Sequence, residues 1–300
     1  MILIKALFRK ATEKIARIIA SQHSALLDAE SLNQQIQLSL KNQWLQWKLA
    51  GSTPYSRIRD AGFRCYSESE EDGIILYLLT MIGVDGGTLV EMCCGSGNEC
   101  MATNLILNHG YKGFLFDGSE ANIDAATRFF HSKKDCRLVK PDLSCTWITV
   151  ENVNALLTRS GCPRDVDFFS LDIDGNDYWV WDAVEAINPK VCCIETLDIA
   201  PSNKRITMPY DPKFSLGAQP PQLQDFRSGS LAAMVKLSKR KGYRLVGAHR
   251  HGFNAFFMRN DIGMDFFPEV SVVDVHNNPW TKYGQSQRWE TVKNLGWVEV

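Results

Sequence analysis

The sequence is short of several features that would place it in a specialised class. Its 33 lysines and arginines nearly balance 34 acidic residues, giving a net charge of −1. Because nucleic-acid binders usually carry a basic excess, we expect no nucleic-acid partner. No apolar run approaches the ~18 residues that a transmembrane helix needs. Neither an internal repeat nor a low-complexity segment is present.

The nine cysteines also lack a metal-binding or redox pattern, because no Cys-x-x-Cys spacing occurs. The pairs Cys93-Cys94 and Cys192-Cys193 lie in apolar runs typical of buried strands. Reduced, buried thiols are the favoured interpretation, and they predict a cytoplasmic protein.

The first 22 residues, "MILIKALFRKATEKIARIIASQ", do not have the charge pattern of a secretory signal. Leu3, Leu7, Ile15 and Ile18 repeat at helical spacing, and basic residues outnumber acidic ones. The stretch therefore predicts an amphipathic helix. Packing on the main domain is the favoured role, and docking to a membrane surface or a partner protein is the alternative.

From Tyr66 onward, strand and helix patterns alternate. The first helix, in "YSESEEDGIILYLLTMIG", is predicted to be capped near Ser67 or Ser69. Strands follow at "TLVEMC", "GFLFDG", 137–140, "DVDFFSLDIDG" and "KVCCIET". The intervening helices are predicted over "NECMATNLILNHG", 120–131, 150–160 and 177–187. A helix over 229–241 then leads to "YRLVGAH", a turn at Gly252 and "NAFFMR".

This order predicts an α/β fold. The strands are short, continuous apolar runs, as expected for strands that are covered on both faces. Strand-helix alternation indicates a parallel, doubly wound sheet, and two strands joined by a tight turn must be antiparallel. We therefore expect seven mostly parallel strands, the Rossmann-like arrangement of class I methyltransferases that use S-adenosylmethionine. Residues 1–60 form a predicted helical extension, 61–262 the main domain and 263–300 a C-terminal extension packed on it.

The turn after the first strand, "EMCCGSGNEC", is a candidate cofactor site. Glycine allows close backbone approach to a ligand, and an acid at the strand end can accept a hydrogen bond from an ammonium group. Asp117 ends the second strand, where a carboxylate can bind ribose hydroxyls. The alternative for this turn is a strand-turn-helix connection that binds no ligand. Asp142, in the turn after the third strand, can reach the adenine amine, and the alternative is that it is a plain turn residue. The predicted cofactor-binding residues are Glu91, Cys93, Gly95, Gly97, Asp117, Gly118, Ser119 and Asp142.

Nicotinamide dinucleotides and S-adenosylmethionine share this ground plan. Dinucleotide turns direct a helix N-terminus at a pyrophosphate, whereas here Asn98-Glu99 is predicted to begin the helix, and a carboxylate would repel a phosphate. The predicted C-terminal hairpin is also typical of methyltransferases. S-adenosylmethionine is therefore the favoured ligand.

The stretches "SEEDGIILYLL", "CCGSGNECMATNLILNHG", "LFDGSEAN", "WITVENVNALL", "FFSLDIDGNDYWVW", "MPYDPKF", "SLAAMVKLSKRKGYRLVG" and "NAFFMRND" run from about 66 to 262. Over this span the chain resembles FkbM-like methyltransferases, a bacterial group associated with glycan assembly. The resemblance implies methyl transfer to a sugar or glycan precursor. The chain departs from the group at "ETLD" after the fifth strand and at "AQPPQLQDFRSG", both where an acceptor would bind. These departures imply a different acceptor or a reduced activity.

The densest polar cluster, "LDIDGNDYWVW", ends the fourth strand. Methyl transfer to oxygen requires an aligned hydroxyl and often a base or a metal. Either Asp174 or Asp177 is the base, or Asp172, Asp174 and Glu195 hold Mg²⁺, which is the less favoured alternative. The structural alternative is that Asp177 only caps the next helix and takes no part in catalysis. His249 is a candidate general base or a turn residue without a role. The predicted catalytic residues are Asp172, Asp174, Asn176, Asp177, Glu195 and His249.

The sequence thus favours an S-adenosylmethionine-dependent O-methyltransferase. Two alternatives remain, a non-catalytic protein that binds a nucleoside or a partner, and a nucleotide-sugar oxidoreductase.

Overall fold

The computed structural model describes Lys14 and residues 32–300. The amphipathic pattern at Leu3, Leu7, Ile15 and Ile18 lies outside these residues. The described part opens with helix α1 (32–49), whose Trp44 is buried and packs edge-on against Tyr77 at a ring distance of 5.2 Å. This contact joins α1 to the main core.

The central sheet has seven strands, β1 (Thr88–Met92), β2 (Lys112–Asp117), β3 (Asp142–Cys145), β4 (Phe168–Leu171), β5 (Val191–Glu195), β7 (Tyr243–Ala248) and β8 (Asn254–Arg259). Their order is β3-β2-β1-β4-β5-β8-β7. The first five are parallel, and β8 is antiparallel to both of its neighbours. The predicted fold class is confirmed, including the inserted antiparallel strand.

Helices cover both faces of the sheet. They are α2 (Glu71–Ile82), α3 (Thr103–His109), α4 (Glu120–Ser132), α5 (Val153–Arg159), α6 (Asp177–Ala183) and α7 (Leu231–Arg240). Short 3₁₀ turns occur at Ile58–Ala61, Lys134–Cys136, Leu216–Ala218 and Pro221–Leu223.

Side chains alternate between the two faces of the sheet. Leu89 and Cys193 pack with α2 and α3 on one face, whereas Val90 and Cys192 pack with α5, α6 and α7 on the other. All four side chains are fully buried. The doubled cysteine in β5 therefore serves both cores, and all nine cysteines are free thiols.

Three helix boundaries differ from the sequence prediction. Helix α2 begins at Glu71 with Glu70 as its N-cap residue, although the Ser67 hydroxyl still accepts the N–H of Asp72 in the first turn. Helix α3 begins at Thr103 instead of at Asn98-Glu99, and α6 already ends at Ala183.

The third strand was also misplaced. The prediction put it at 137–140, but β3 begins at Asp142. Leu138 is 97% exposed and Val139 is 50% exposed, so these apolar residues form no strand. An edge strand has one neighbour and can be polar, which hides it from a search for apolar runs.

The C-terminal region, 263–300, folds back over the end of β5. It contains α8 (Val272–His276), α9 (Pro279–Gln287), α10 (Trp289–Val292) and β9 (Val298–Glu299), which pairs with β6 (Ile206–Thr207). Trp289 and Val292 form a separate small core with Leu197, Ile199 and Ile206. This packing places α9 beside the sheet edge that carries the candidate site.

No helix within the described ranges, Lys14 and 32–300, has the length and apolar character to cross a membrane.

Candidate functional site

Two adjoining clefts open at the carboxyl ends of the parallel strands. The smaller, here called the Asp117 cleft, has a volume of about 290 Å³ and lies beyond β2. The larger, here called the acidic cleft, has a volume of about 470 Å³ and lies beyond β4 and β5. Cys93 and Asp174 line both clefts. The strand ends in an open α/β sheet are where ligands bind, so the two clefts together form the candidate site.

Glu91 shapes the turn after β1. Its Oε1 accepts the N–H of Met101 at 3.0 Å, and its Oε2 accepts the N–H of Ala102 at 2.6 Å. The Cys100 thiol lies 3.2 Å from the same Oε2. Burial raises the pKa of Glu91 to about 7. Glu91 lines the acidic cleft, but it is largely engaged in holding residues 100–102 ahead of α3 rather than free to bind an ammonium group.

The two glycines of this turn are needed for its backbone. Both have left-handed φ angles, 55° for Gly95 and 74° for Gly97. A Cβ on Gly97 would lie 2.8 Å from the ring of Phe130, whereas a Cβ on Gly95 would meet nothing closer than 3.7 Å. Neither glycine lines a cleft. Packing against Phe130 of α4 therefore requires a glycine at position 97, and the role of both glycines in cofactor binding stays a prediction.

Cys93 directly follows β1 and adopts the same left-handed conformation as the two glycines, with φ 73°. Asp174, at φ 58°, and Ser228, at φ 54°, are the other non-glycine residues with positive φ in the described part of the chain. Such strained residues concentrate at functional sites. All three lie at or directly behind the two clefts. Cys93 is exposed to solvent, but partial desolvation by the surrounding protein and the neighbouring carboxylates raise the pKa of its thiol, so it stays neutral at physiological pH.

Asp117 anchors the Asp117 cleft. Its Oδ2 accepts the N–H of Gly95 at 2.8 Å, and its Oδ1 accepts the N–H of Ser119 at 2.8 Å and the Asn122 amide at 3.1 Å. A carboxylate has about four lone-pair sites. Asp117 therefore keeps one site for a ligand hydroxyl, although two hydroxyls were predicted.

Aromatic side chains form the walls of the Asp117 cleft. Trp147 and Phe214 face it, and a Cβ on Gly118 would lie 2.7 Å from the Trp147 ring. The Trp147 indole donates to the carbonyl of Pro212 at 2.8 Å, and the Asn176 amide donates to the carbonyl of Asp211 at 2.7 Å. Asn176 thus fastens the segment that carries Phe214 over the cleft. Ser119 caps α4 by accepting the N–H of Asn122.

The centre of the acidic cleft is a carboxylate cluster. Asp172, Asp174 and Glu195 each place an oxygen within 4.8 Å of the others. Arg227 bonds to Asp174, and its Nη2 lies 3.1 Å from Glu195. No hydrogen bond reaches Asp172 from the described residues. Enclosure in the cleft, then the charges of Asp177 and Asp174, raise the pKa of Asp172 well above its usual range.

Asp177 lies beneath this cluster and is fully buried. Its carboxylate accepts the N–H groups of Ile173 at 2.8 Å and Gly175 at 2.9 Å. The Ser228 hydroxyl lies 3.0 Å from both Asp177 and Glu195, and its single proton cannot serve both. Burial raises the pKa of Asp177 to about 6 and that of Glu195 well above its usual range. Asp177 therefore holds the turn after β4 and lies out of reach of a ligand.

The cluster fits a hard divalent cation in its donor atoms, since carboxylate oxygens are the ligands that Mg²⁺ prefers. However, the Arg227 guanidinium already pairs with two of the three carboxylates, Asp174 and Glu195. A bound ion would have to displace it.

The far wall of the acidic cleft comes from residues that the prediction did not name. Asp198 follows β5, Asp225 and Arg227 lie before Ser228, and Trp280 and Arg288 belong to the C-terminal region. Asp198, Asp225 and Arg227 lie in the segments 196–198 and 218–229, where the sequence departs from the FkbM-like pattern. Those departures were the sequence signal that could have identified them. No pattern in the sequence indicated Trp280 or Arg288, because only the folding back of 263–300 brings them here.

Two predicted site residues lie elsewhere. Asp142 opens β3 instead of following it, pairs in register with Phe114, and forms an exposed ion pair with Lys112 at 2.9 Å. It is three residues from the level of Asp117, or about 10 Å along the sheet. His249 is fully buried and lines a separate cavity of about 110 Å³ between β7 and residues 53–59. Burial lowers the pKa of His249. Its side chain lines this separate cavity and neither of the two clefts.

Comparisons with known proteins concern the fold. No protein-family model and no curated protein matches the sequence. Among solved structures, the chain is similar to a protein described as a sarcosine dimethylglycine methyltransferase from Galdieria sulphuraria, with 13% identity, a TM-score of 0.39 and 58% of this chain covered. It is also similar to the [4+2]-cyclase SpnF, with 14% identity, a TM-score of 0.37 and 71% covered, and to the citrinin polyketide synthase CMeT domain, with 11% identity, a TM-score of 0.37 and 65% covered. The matches span 62%, 73% and 54% of those three chains, so the first and third are matched over less than two thirds of their length.

Proposed function

We propose that the protein is an S-adenosylmethionine-dependent O-methyltransferase that acts on a sugar or glycan precursor. The observation that carries the proposal is the meeting of two clefts at Cys93 and Asp174, one with Asp117 and aromatic walls, the other with an unpartnered carboxylate. A nucleoside and a hydroxyl donor would then face each other across the strand ends. The combined volume of the two clefts is within the range of small-molecule binding sites.

The Asp117 cleft suits the adenosine part of the donor. Asp117 retains one acceptor site for a ribose hydroxyl, and Trp147 and Phe214 offer apolar ring surfaces for a base. Cys93, small and neutral, lies at the junction toward the acidic cleft. Carboxylates on that side would stabilise the positive sulfonium charge.

A dinucleotide fits this turn less well. Pyrophosphate sites use free N–H groups at a helix N-terminus. Here the N–H groups of Met101 and Ala102, directly ahead of α3, are both taken by Glu91. Glu99 adds a carboxylate to the rim of the acidic cleft. These features disfavour a nucleotide-sugar oxidoreductase.

Asp172 is the candidate general base. When bound, S-adenosylmethionine supplies an electrophilic methyl group. The acceptor hydroxyl would pass its proton to Asp172 as the new C–O bond forms and the old C–S bond breaks. The raised pKa of Asp172 makes its carboxylate a stronger base than that of an ordinary aspartate. Arg227 orients Asp174 and Glu195, so it takes part in positioning and leaves Asp172 to accept the proton.

The test uses the full chain in calorimetric titrations with S-adenosylmethionine and S-adenosylhomocysteine. We expect both to bind, and Asp117→Ala to weaken binding at least about tenfold, which corresponds to about 1.4 kcal/mol. Asp172→Asn should bind the donor normally but transfer no labelled methyl group to a panel of sugars, and Asp142→Asn is the matched control. Absence of binding by either nucleoside would favour a non-catalytic protein instead.

A further inference from the structure

The cations of the acidic cleft are already in use. Arg288 holds Asp225 through two contacts, one of them between Nε and Oδ2 at 3.0 Å. Arg227 holds Asp174 and Glu195. Neither guanidinium is therefore free to bind a phosphate or a carboxylate. An anionic acceptor would find no partner among the two arginines that line the cleft.

Carboxyl groups, by contrast, are in excess. Eight of them line the cleft against these two arginines, namely Glu68, Glu91, Glu99, Asp172, Asp174, Glu195, Asp198 and Asp225. Glu68 and Asp172 receive no hydrogen bond and form no ion pair within the described ranges. The ionised members of this set give the cleft a negative potential, which attracts cationic ligands.

Asp198 provides an independent observation. It lines the cleft, is only 5% exposed, and its Oδ2 is buried without a hydrogen-bond partner among residues 32–300. A buried, unsatisfied carboxylate oxygen is costly. Leaving it unpaired is understandable if a ligand supplies the missing donor.

Two aromatic side chains add ring surfaces to the cleft. Trp280, 44% exposed, and Phe253 line the same cleft. Their ring faces attract cations and also pack against the apolar faces of sugar rings. Carboxylates together with exposed aromatic rings are the groups that recognise an ammonium ion carried on a small hydroxylated molecule.

We propose that the acidic cleft recognises the acceptor through a protonated amine held by Asp198, so that the acceptor is an amino sugar or a similar hydroxylated amine. The proposal rests on the proposed function for the methyl transfer, but amine binding itself does not. Asp198 acts as a specificity residue and Asp172 as the base. The segments 196–198 and 225–227, which carry Asp198 and the arginine contacts, lie in the parts that depart from the FkbM-like pattern. A different acceptor is what those departures imply.

The test compares D-glucosamine, N-acetyl-D-glucosamine and D-glucose as ligands of the full chain at about pH 7, with and without S-adenosylhomocysteine. A site built to pair a polar group rejects the analogue that lacks it. We expect glucosamine to bind at least about tenfold more tightly than the two neutral sugars. Asp198→Asn should reduce that preference to less than about threefold, whereas Asp142→Asn should retain it.

The proposal would be overturned if glucose bound as tightly as glucosamine, or if Asp198→Asn kept the full preference for glucosamine. A failure of glucosamine to bind at all would overturn it as well. Should Asp198→Asn not fold, Trp280→Ala changes an exposed side chain and must weaken glucosamine more than N-acetylglucosamine. The two proposals fail separately. Loss of nucleoside binding with the amine preference intact contradicts the methyltransferase, and the reverse result contradicts only the amine site.

Discussion

Gly97 offers a direct test of whether the turn after β1 is shaped by packing or by a ligand. Alanine at Gly97 must adopt a left-handed conformation, at φ 74°, which costs about 1–2 kcal/mol. Its Cβ would also lie 2.8 Å from the ring of Phe130, a side chain that is 2% exposed and packs edge-on against Phe129. Overpacking of this kind adds about 1–3 kcal/mol.

Gly95→Ala is the matched control. It has a similar left-handed φ of 55° but open space around the new Cβ, so only the conformational cost of about 1–2 kcal/mol remains. We therefore expect Gly97→Ala to be less stable than Gly95→Ala by about 1–3 kcal/mol in urea unfolding followed by linear extrapolation. Phe130→Leu replaces the ring with a smaller side chain. In the double variant Gly97→Ala/Phe130→Leu it should therefore recover part of the lost free energy of unfolding.

The reasoning would be refuted by equal stability of the two alanine variants. It would also be refuted if Gly97→Ala left the free energy of unfolding close to that of Gly95→Ala but abolished binding of S-adenosylmethionine. That result would mean that the ligand, and not Phe130, requires the glycine.

Two further predictions follow from the placement of acids. Asp142→Ala removes an exposed ion pair with Lys112 and should change stability by no more than about 1 kcal/mol, with unchanged affinity for S-adenosylmethionine in calorimetry; a clear loss of affinity would return Asp142 to the cofactor site. The pKa of Asp177 rises from 3.8 to about 6 on folding, which corresponds to about 3 kcal/mol. Because the folded state holds this proton more tightly, its contribution to stability is complete below pH 3.8 and is lost as the pH rises through about 6. Asp177→Asn cannot titrate, so its stability relative to the natural chain should improve between about pH 4.5 and pH 7.5 in urea unfolding by about 2 kcal/mol; a difference independent of pH would contradict the assignment.

Local patterns were sufficient for most of the fold. Parallel strands buried on both faces are continuous apolar runs, and each helix between them is closed by a glycine, a proline or a change of polarity. The hairpin around Gly252 required only the short spacing between β7 and β8. The sequence prediction of strands was wrong where side chains are only partly buried. At the sheet edge, β3 needs little apolar surface, and the exposed Leu138 and Val139 gave a false signal.

The candidate site was predicted only in its outline. The strand ends supplied Asp117, Asp172, Asp174 and Glu195, because an acid that follows an apolar run is visible in the sequence. Roles were harder to assign. Whether Glu91 or Asp177 is available to a ligand depends on which backbone N–H groups it already binds, and those contacts form only in the folded turn.

The sequence by itself determined the order of strands and helices and the edge of the sheet at which polar side chains collect, since both follow from periodicity along the chain. The tertiary structure decided which of those side chains are free. It paired Arg227 and Arg288 with carboxylates, enclosed His249 against a separate cavity, and brought Trp280 from the C-terminal region to the cleft that Asp198 lines. These contacts join residues far apart in the sequence, and no local pattern specifies them.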